Sequence, residues 1–419
     1  MGRLGSFVAF ALLIGGFAQA HEKEIDLGHL VSLAMERNPR LVALRFVSEA
    51  ETFRARAQGV LPDPVIQFGL KNIGWDHLSV GEEMMSGYGV SISQAIPFPG
   101  KLALRSSMAN TKAAQYAQSL AAAQLALVRQ VKELYAGWFS ASRALALLNR
   151  KASTLQDARR YAEARYVVGQ SPQEHLLKAE LEIYHNQEMI LLLEEKVRST
   201  RIQLGSLLDV PEDSLVGAPR EIPFTSFPYE LGELQAWALR NPALVQARLM
   251  AREESLAVRL AKRDLMPNLM IQAGKEFKGP FKDMYEVMLG LEIPLYFSKK
   301  QMPLVQAAQL QLESSRHNLR DMEIEIETEL HNNYVMAKYG EKRIALYRER
   351  ILPQAELSLR ASISAYQANE TDFLALLTDI NDLFSHQIEY ARTLAALWAA
   401  AARLEELTGK ELLGANEGK

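Results

Sequence analysis

The chain contains no cysteine. That excludes a disulfide framework, thiolate metal sites and an N-terminal lipid-anchored cysteine. It lacks any surplus of positive charge, with 47 Lys and Arg against 50 Asp and Glu, so nothing in it recommends nucleic acid as a partner. No catalytic motif occurs: there is no H-E-x-x-H, no G-x-S-x-G and no phosphate-cradling glycine loop. The composition therefore points away from an enzyme and toward no cofactor. Long uncharged apolar runs are missing after the first twenty residues, which excludes transmembrane helices from the rest of the chain.

The start itself is different. Arg3 is followed by an apolar run from Leu4 to Phe17 and by Ala18-Gln19-Ala20. This order predicts a secretory signal over 1–20, cleaved before His21. The mature chain would then be a secreted one.

What is present is a repetition. RNPRLVALR from Arg37 pairs with RNPALVQAR from Arg240. VLPDPVIQFG from Val60 pairs with LMPNLMIQAG from Leu265, and YGVSISQAIP from Tyr88 with YEVMLGLEIP from Tyr285. YVVGQSPQEHLL from Tyr166 pairs with YQANETDFLALL from Tyr366. The pairs keep one order, each about 200 residues apart, which predicts two copies of one unit, 21–210 and 211–419. Each copy reads as a helix after Asn-Pro, two strands, a very long helix, a sharp turn and a returning helix. The long stretches run from about Lys101 to Val168 and from about Lys299 to Ala368, each ~100 Å if helical. Met322 to Leu330 alternates like a strand, but its flanks are helical, so a helix is expected there. Pro353 should kink the second long helix.

The four strands alternate with period two. One face is apolar, with Ile66, Phe68, Leu70, Tyr88, Val90, Ile92, Leu269, Ile271, Val287, Leu289 and Leu291. The other is small or polar, with Gln67, Gly69, Ser91, Gln272, Gly274, Glu286 and Glu292. In a secreted chain this is the alternation of a transmembrane β-barrel, with Glu286 and Glu292 in a water-filled lumen. Four strands cannot close such a barrel, so several chains must contribute.

Taken together, the duplication, ILPQAELSLRASISAYQANE from Ile351, YVVGQS from Tyr166 and the junction SQAIPFPGK from Ser93 resemble the TolC-type outer-membrane efflux proteins. The resemblance covers the mature chain. It implies a mainly α protein with a transmembrane β portion: a homotrimer with a 12-stranded β-barrel in outer-membrane lipid and an α-helical barrel crossing the periplasm. It also implies a periplasmic adaptor and an inner-membrane pump, of the RND type, docking at the helix turns. PFPGK and VLPDP are most similar to the heavy-metal subgroup, whose cargo is metal cations; small organic compounds are the other expectation for the duct, and a periplasmic adaptor is the competing class.

Candidate residues follow from this reading. The turns Gly169, Gln170, Ser171 and Asn369, Glu370, Thr371, Asp372 are expected at the periplasmic tip. There Asp372 would line a constriction or merely cap a helix, and Asn369 would replace the turn glycine. Asp321, Glu323, Glu325, Glu327 and Glu329 either face the tunnel or a solvated outer side. Met84 and Met85, near His77, are candidates for a soft metal; packing at the barrel rim is the ordinary role.

Overall fold

A computed structural model describes residues 24–75, 80, 82–215, 217–368 and 370–413. The signal segment, His21, His77 and Asn369 lie outside the described residues. The elements in order are β1 (Glu24–Ile25), α1 (Leu27–Arg37), α2 (Pro39–Ala57), β2 (Val65–Lys71), β3 (Gly87–Ile96), α3 (Lys101–Val167) and α4 (Gln173–Leu208). Then come β4 (Ala218–Pro219), α5 (Leu231–Ala238), α6 (Pro242–Arg263), β5 (Asn268–Phe277), β6 (Met284–Glu292) and α7 (Gln301–Leu346). A π-helical turn, Tyr347–Ile351, joins α7 to α8 (Leu352–Gln367), and α9 (Phe373–Thr408) is the last element among the described residues. The order helix, helix, hairpin, long helix, returning helix therefore occurs twice.

Helix α3 has 67 residues, ~100 Å at 1.5 Å per residue. Helix α4 packs along one end of it, and α2 and α6 along the other; α9 packs on both α3 and α7. The Asn-Pro pairs position the short helices that stack end to end. Asn38 accepts from the backbone N–H of Leu41 at 3.1 Å and donates to the carbonyl of Leu207 at 3.0 Å. It thereby caps the start of α2 and the end of α4 at once. Asn241 does the same for α6 and α9, accepting from the Ala243 N–H at 2.8 Å and donating to Glu406 and Leu407 carbonyls at 3.0 Å.

Near this level one apolar core joins both halves through Val131, Trp138, Leu204, Phe227, Leu234, Leu330, Ile344, Leu397 and Leu404. Helices α1 and α5 and the parallel pair β1–β4 enter this core region; the sequence reading had not singled them out. Met322 to Leu330 is helical, with Ile326 and Leu330 buried and Ile324 on the opposite, exposed side. Pro353 acts one step earlier than a simple kink. It has no N–H for the Glu349 carbonyl, and the disruption appears as the π-helical turn before it.

The strands form one antiparallel sheet in the order β2-β3-β5-β6. The register aligns Ile66 with Ile92, Ile92 with Ala273 and Ala273 with Val287. Gln67, Ser91, Gly274 and Glu286 align in the same way on the other face. No described residue covers the apolar face: Phe68, Val287 and Leu289 are 83%, 78% and 71% exposed. Aromatic side chains stand at both ends of that face. Tyr88 stacks on Phe277 at 5.1 Å near the loops, and Tyr296 and Phe297 are exposed beyond the end of β6. Such girdles suit the two interfaces of a membrane. No helix among the described residues is long and apolar enough to cross one.

Candidate functional sites at the helix turns and on the polar face of the sheet

The first turn closes as a Schellman motif. Gly169 takes φ 71°, its N–H reaches the Tyr166 carbonyl at 3.0 Å, and Gln170 N–H reaches Arg165 at 2.8 Å. A side chain at Gly169 would strain that left-handed conformation. In the second turn the Glu370 N–H bonds to the Ala365 carbonyl at 2.8 Å, the same offset.

The two turns lie together. His175, in the first turn of α4, has Nε2 3.3 Å from the Asp372 carboxylate. Its Nδ1 is 2.9 Å from the Ser171 hydroxyl, and its ring stacks on Phe373 at 5.3 Å. Arg165 donates to the Tyr366 carbonyl at 3.1 Å and lies 4.9 Å from that ring's centre. Burial pushes the Tyr366 phenol above its usual range, against the opposing pull of Arg165. Glu174, on the exposed side, is held below the ordinary carboxylate range by the hydrogen bond from Lys178.

Asp372 is thus both a cap and a link. Its carboxylate accepts from the Phe373 N–H at 2.7 Å while remaining 57% exposed. Glu370 and Gln170 are exposed, and Thr371 is half-buried. The residues that tie the copies together, Arg165 and His175, were missed in the sequence reading. A signal existed: aligned on the turns, Arg165 corresponds to Ala365 and His175 to Ala375. Here a charge and an imidazole present in only one copy make contacts between the copies.

On the polar face of the sheet, Glu286 and Glu292 stand where the alternation put them, but neither is unpartnered. Lys71 reaches across from β2 to Glu286 at 2.9 Å and to Glu276 at 3.6 Å. Asn268 donates to Glu292 at 2.9 Å. A lysine on one edge strand meets a glutamate on the other only because the sheet curls with this face concave. The curl leaves little room there: a Cβ at Gly87 would lie 2.6 Å from the Phe277 carbonyl oxygen.

The opposite face has one charge the sequence reading passed over. Lys275 sits in register with Val90 and Tyr285. It lies over the Phe277 ring at 4.5 Å and pairs with Asp283 in the adjoining loop at 3.0 Å, which carries its charge out of the apolar band.

Lys101, in the junction motif, is a structural anchor rather than a lumen group. It is 3% exposed and donates to the Asn268 side chain at 2.9 Å and the Met266 carbonyl at 3.1 Å. It also pairs with Asp264 at 3.2 Å. The PFPGK segment of the first copy is thereby fastened to the α6–β5 link of the second.

Met84 and Met85 are held by their backbone. Lys278 donates to the Met84 carbonyl at 3.2 Å and Asn72 to the Met85 carbonyl at 3.0 Å, and both side chains are exposed. No cluster of three His, Asp or Glu suited to a metal occurs among the described residues. Of the α7 acids, Glu323 pairs with Arg320, Glu329 with Arg403, and Asp321, Glu325 and Glu327 are exposed.

An open curled sheet with an apolar outer face, mounted on helices ~100 Å long, defines a class: outer-membrane channels with a periplasmic helical stalk. The model of the outer membrane efflux protein family matches residues 30–209 and 234–410, and the chain belongs to that family. It is an outer-membrane protein that extends into the periplasm. Among solved structures, VceC of Vibrio cholerae is 16% identical, with a TM-score of 0.80 over 92% of this chain and 96% of that one. CusC is 14% identical, with a TM-score of 0.78 over 92% of each chain. The open-state MtrE channel of Neisseria gonorrhoeae is 17% identical, with a TM-score of 0.77 over 92% of this chain and 89% of that one. At these identities the likeness is one of fold. No curated protein matches the chain.

Proposed function

We propose that the chain is one third of a passive exit duct. Three copies pair β6 of one with β2 of the next, closing a 12-stranded barrel whose polar face lines the lumen. Their helices form a periplasmic tunnel ending at the turns around Gly169 and Asp372. The observation that carries this reading is the sheet: apart from Val65 and the methionines, every strand turns its large apolar residues to one exposed face, while neither edge pairs with another strand among the described residues. Hydrocarbon tolerates a sheet only when no edge is left open. The two halves, 21–210 and 211–419, are copies of one unit, as their repeated element order supports.

The duct carries no energy source, so an adaptor protein and an inner-membrane pump, of the RND type, supply it at the turn tip. Asp372 and its symmetry mates form an acidic ring there, and the His175–Asp372 and Arg165–Tyr366 contacts hold the two hairpins of each copy together. The cargo is a metal cation. The concave face of each sheet supports this, with Glu276, Glu286 and Glu292 set against Lys71 alone. Deleting the protein is expected to sensitise cells to copper, silver, zinc, cobalt or cadmium more than to dyes or detergents. Sensitivity to organic compounds alone moves the cargo to that class and leaves the duct standing. A monomeric protein in the membrane fraction sinks the duct.

A further inference from the structure

The sheet register shows which residues of the concave face stand side by side. On the concave face, β5 and β6 present paired rungs: Asn268 with Glu292, Met270 with Gly290, Gln272 with Met288, Gly274 with Glu286, and Glu276 with Met284. Every apolar side chain larger than alanine on this face of these two strands is methionine. The three are 40%, 46% and 54% exposed in the order Met270, Met288, Met284. Leu, Ile and Val on the same strands are kept to the other face. If filling space were the only demand, any of those would serve. Methionine differs from them in one chemical respect: its thioether sulfur has lone pairs and is soft.

The spacing suits a path rather than a cage. Successive rungs are ~7 Å apart along a strand. Met270 and Met288 occupy adjacent rungs on neighbouring strands. Gly290, directly across from Met270, makes room for it: a Cβ there would come within 3.2 Å of the Met270 methyl carbon. Carboxylates alternate with the thioethers. Glu276 shares the rung of Met284, Glu286 lies between Met288 and Met284, and Glu292 stands at the far end. Three carboxylates face a single ammonium, Lys71, so the face attracts cations while the sulfurs select among them.

We propose that the concave face of β5 and β6 is a track of weak sites for soft monovalent cations, Cu(I) and Ag(I), with Met270, Met284 and Met288 as the sulfur ligands. The proposal rests on the duct reading, because it requires this face to line a water-filled lumen. Several weak sites in series let an ion enter and also leave, as conduction demands. The track continues to the exposed Met84 and Met85 beside the end of the barrel.

The test titrates Ag(I), as nitrate, into the purified full-length protein in detergent. Calorimetry gives the affinity, and silver X-ray absorption gives the ligands. Wild type is expected to show sulfur ligation. Met270→Leu/Met284→Leu/Met288→Leu, which conserves apolar volume, is expected to bind Ag(I) about tenfold more weakly. Met84→Leu/Met85→Leu is expected to retain most of the affinity. Unchanged affinity in the triple variant, silver held by nitrogen and oxygen only, or complete loss in the rim variant would each overturn the track. Planar-bilayer conductance of both variants in potassium nitrate separates the two ideas. A wild type that forms no channel defeats the duct. A conducting triple variant with unaltered silver affinity defeats only the track.

Discussion

Leu289 and Gln272 sit one residue apart in depth, ~3.4 Å, and on opposite faces of the same sheet. Leu289 is in register with Ile271, and Gln272 with Met288. Leu289 is 71% exposed in the single chain, on the side assigned to lipid. Gln272 lies on the concave side. Lysine at each position adds the same charge at nearly the same depth. At Leu289 it meets hydrocarbon midway along β6, at a cost of about 2–4 kcal/mol per copy. With three copies in the proposed barrel, the assembly loses roughly 6–12 kcal/mol, comparable to the whole stability of an ordinary domain. At Gln272 the ammonium meets water and the nearby carboxylates, and the expected change is within about 0.5 kcal/mol. The assay is the fraction of protein recovered as oligomer from outer membranes, followed by its denaturant midpoint in lipid vesicles. Leu289→Lys should nearly abolish the oligomer and Gln272→Lys should leave it intact. Equal effects, or the reverse order, would refute the facing of the sheet and with it the barrel.

Further expectations concern the helices and their joints. Lys101→Met should lower stability by about 2 kcal/mol, because Asn268 and the Met266 carbonyl lose a buried charged donor while Asp264 is left to solvent; an unchanged thermal midpoint would show the junction is not an anchor. Asp372→Ala should alter single-channel conductance and weaken block by multivalent cations in a planar bilayer, since it removes one carboxylate from each copy at the proposed constriction; unchanged block removes Asp372 from that role. Lys151, 8% exposed on α3, has its ammonium pushed below the ordinary lysine range by burial. The unfolded chain therefore binds the proton more tightly than the folded one, the penalty is fully present at neutral pH, and stability should climb as pH rises toward about 10. Lys151→Met should flatten that climb and stabilise the protein at pH 7 by about 1 kcal/mol, read from urea midpoints across the pH range.

The sequence by itself determined whatever depends on neighbours along the chain. Period-two alternation assigned Ile271, Leu289 and their companions to one face. Helical spacing decided α3 and carried Met322 to Leu330 into α7 despite its strand-like look. The repeated Asn-Pro, strand and turn segments set the order of elements twice over. These are local properties, because side-chain direction follows from backbone period and caps act within one helical turn. Tertiary structure alone decided what meets across about 200 residues. The curl of the sheet joined Lys71 to Glu286, which alternation had left as a bare lumen carboxylate. Docking of one copy on the other gave Arg165 to Tyr366 and His175 to Asp372, and converted Lys101 from a subgroup marker into a buried anchor. Helices α1 and α5 escaped notice because each is short and is held by the shared core around Leu30 and Leu234. The methionine rungs became visible only with the register, since pairing, and not period, states which residues of two strands stand side by side.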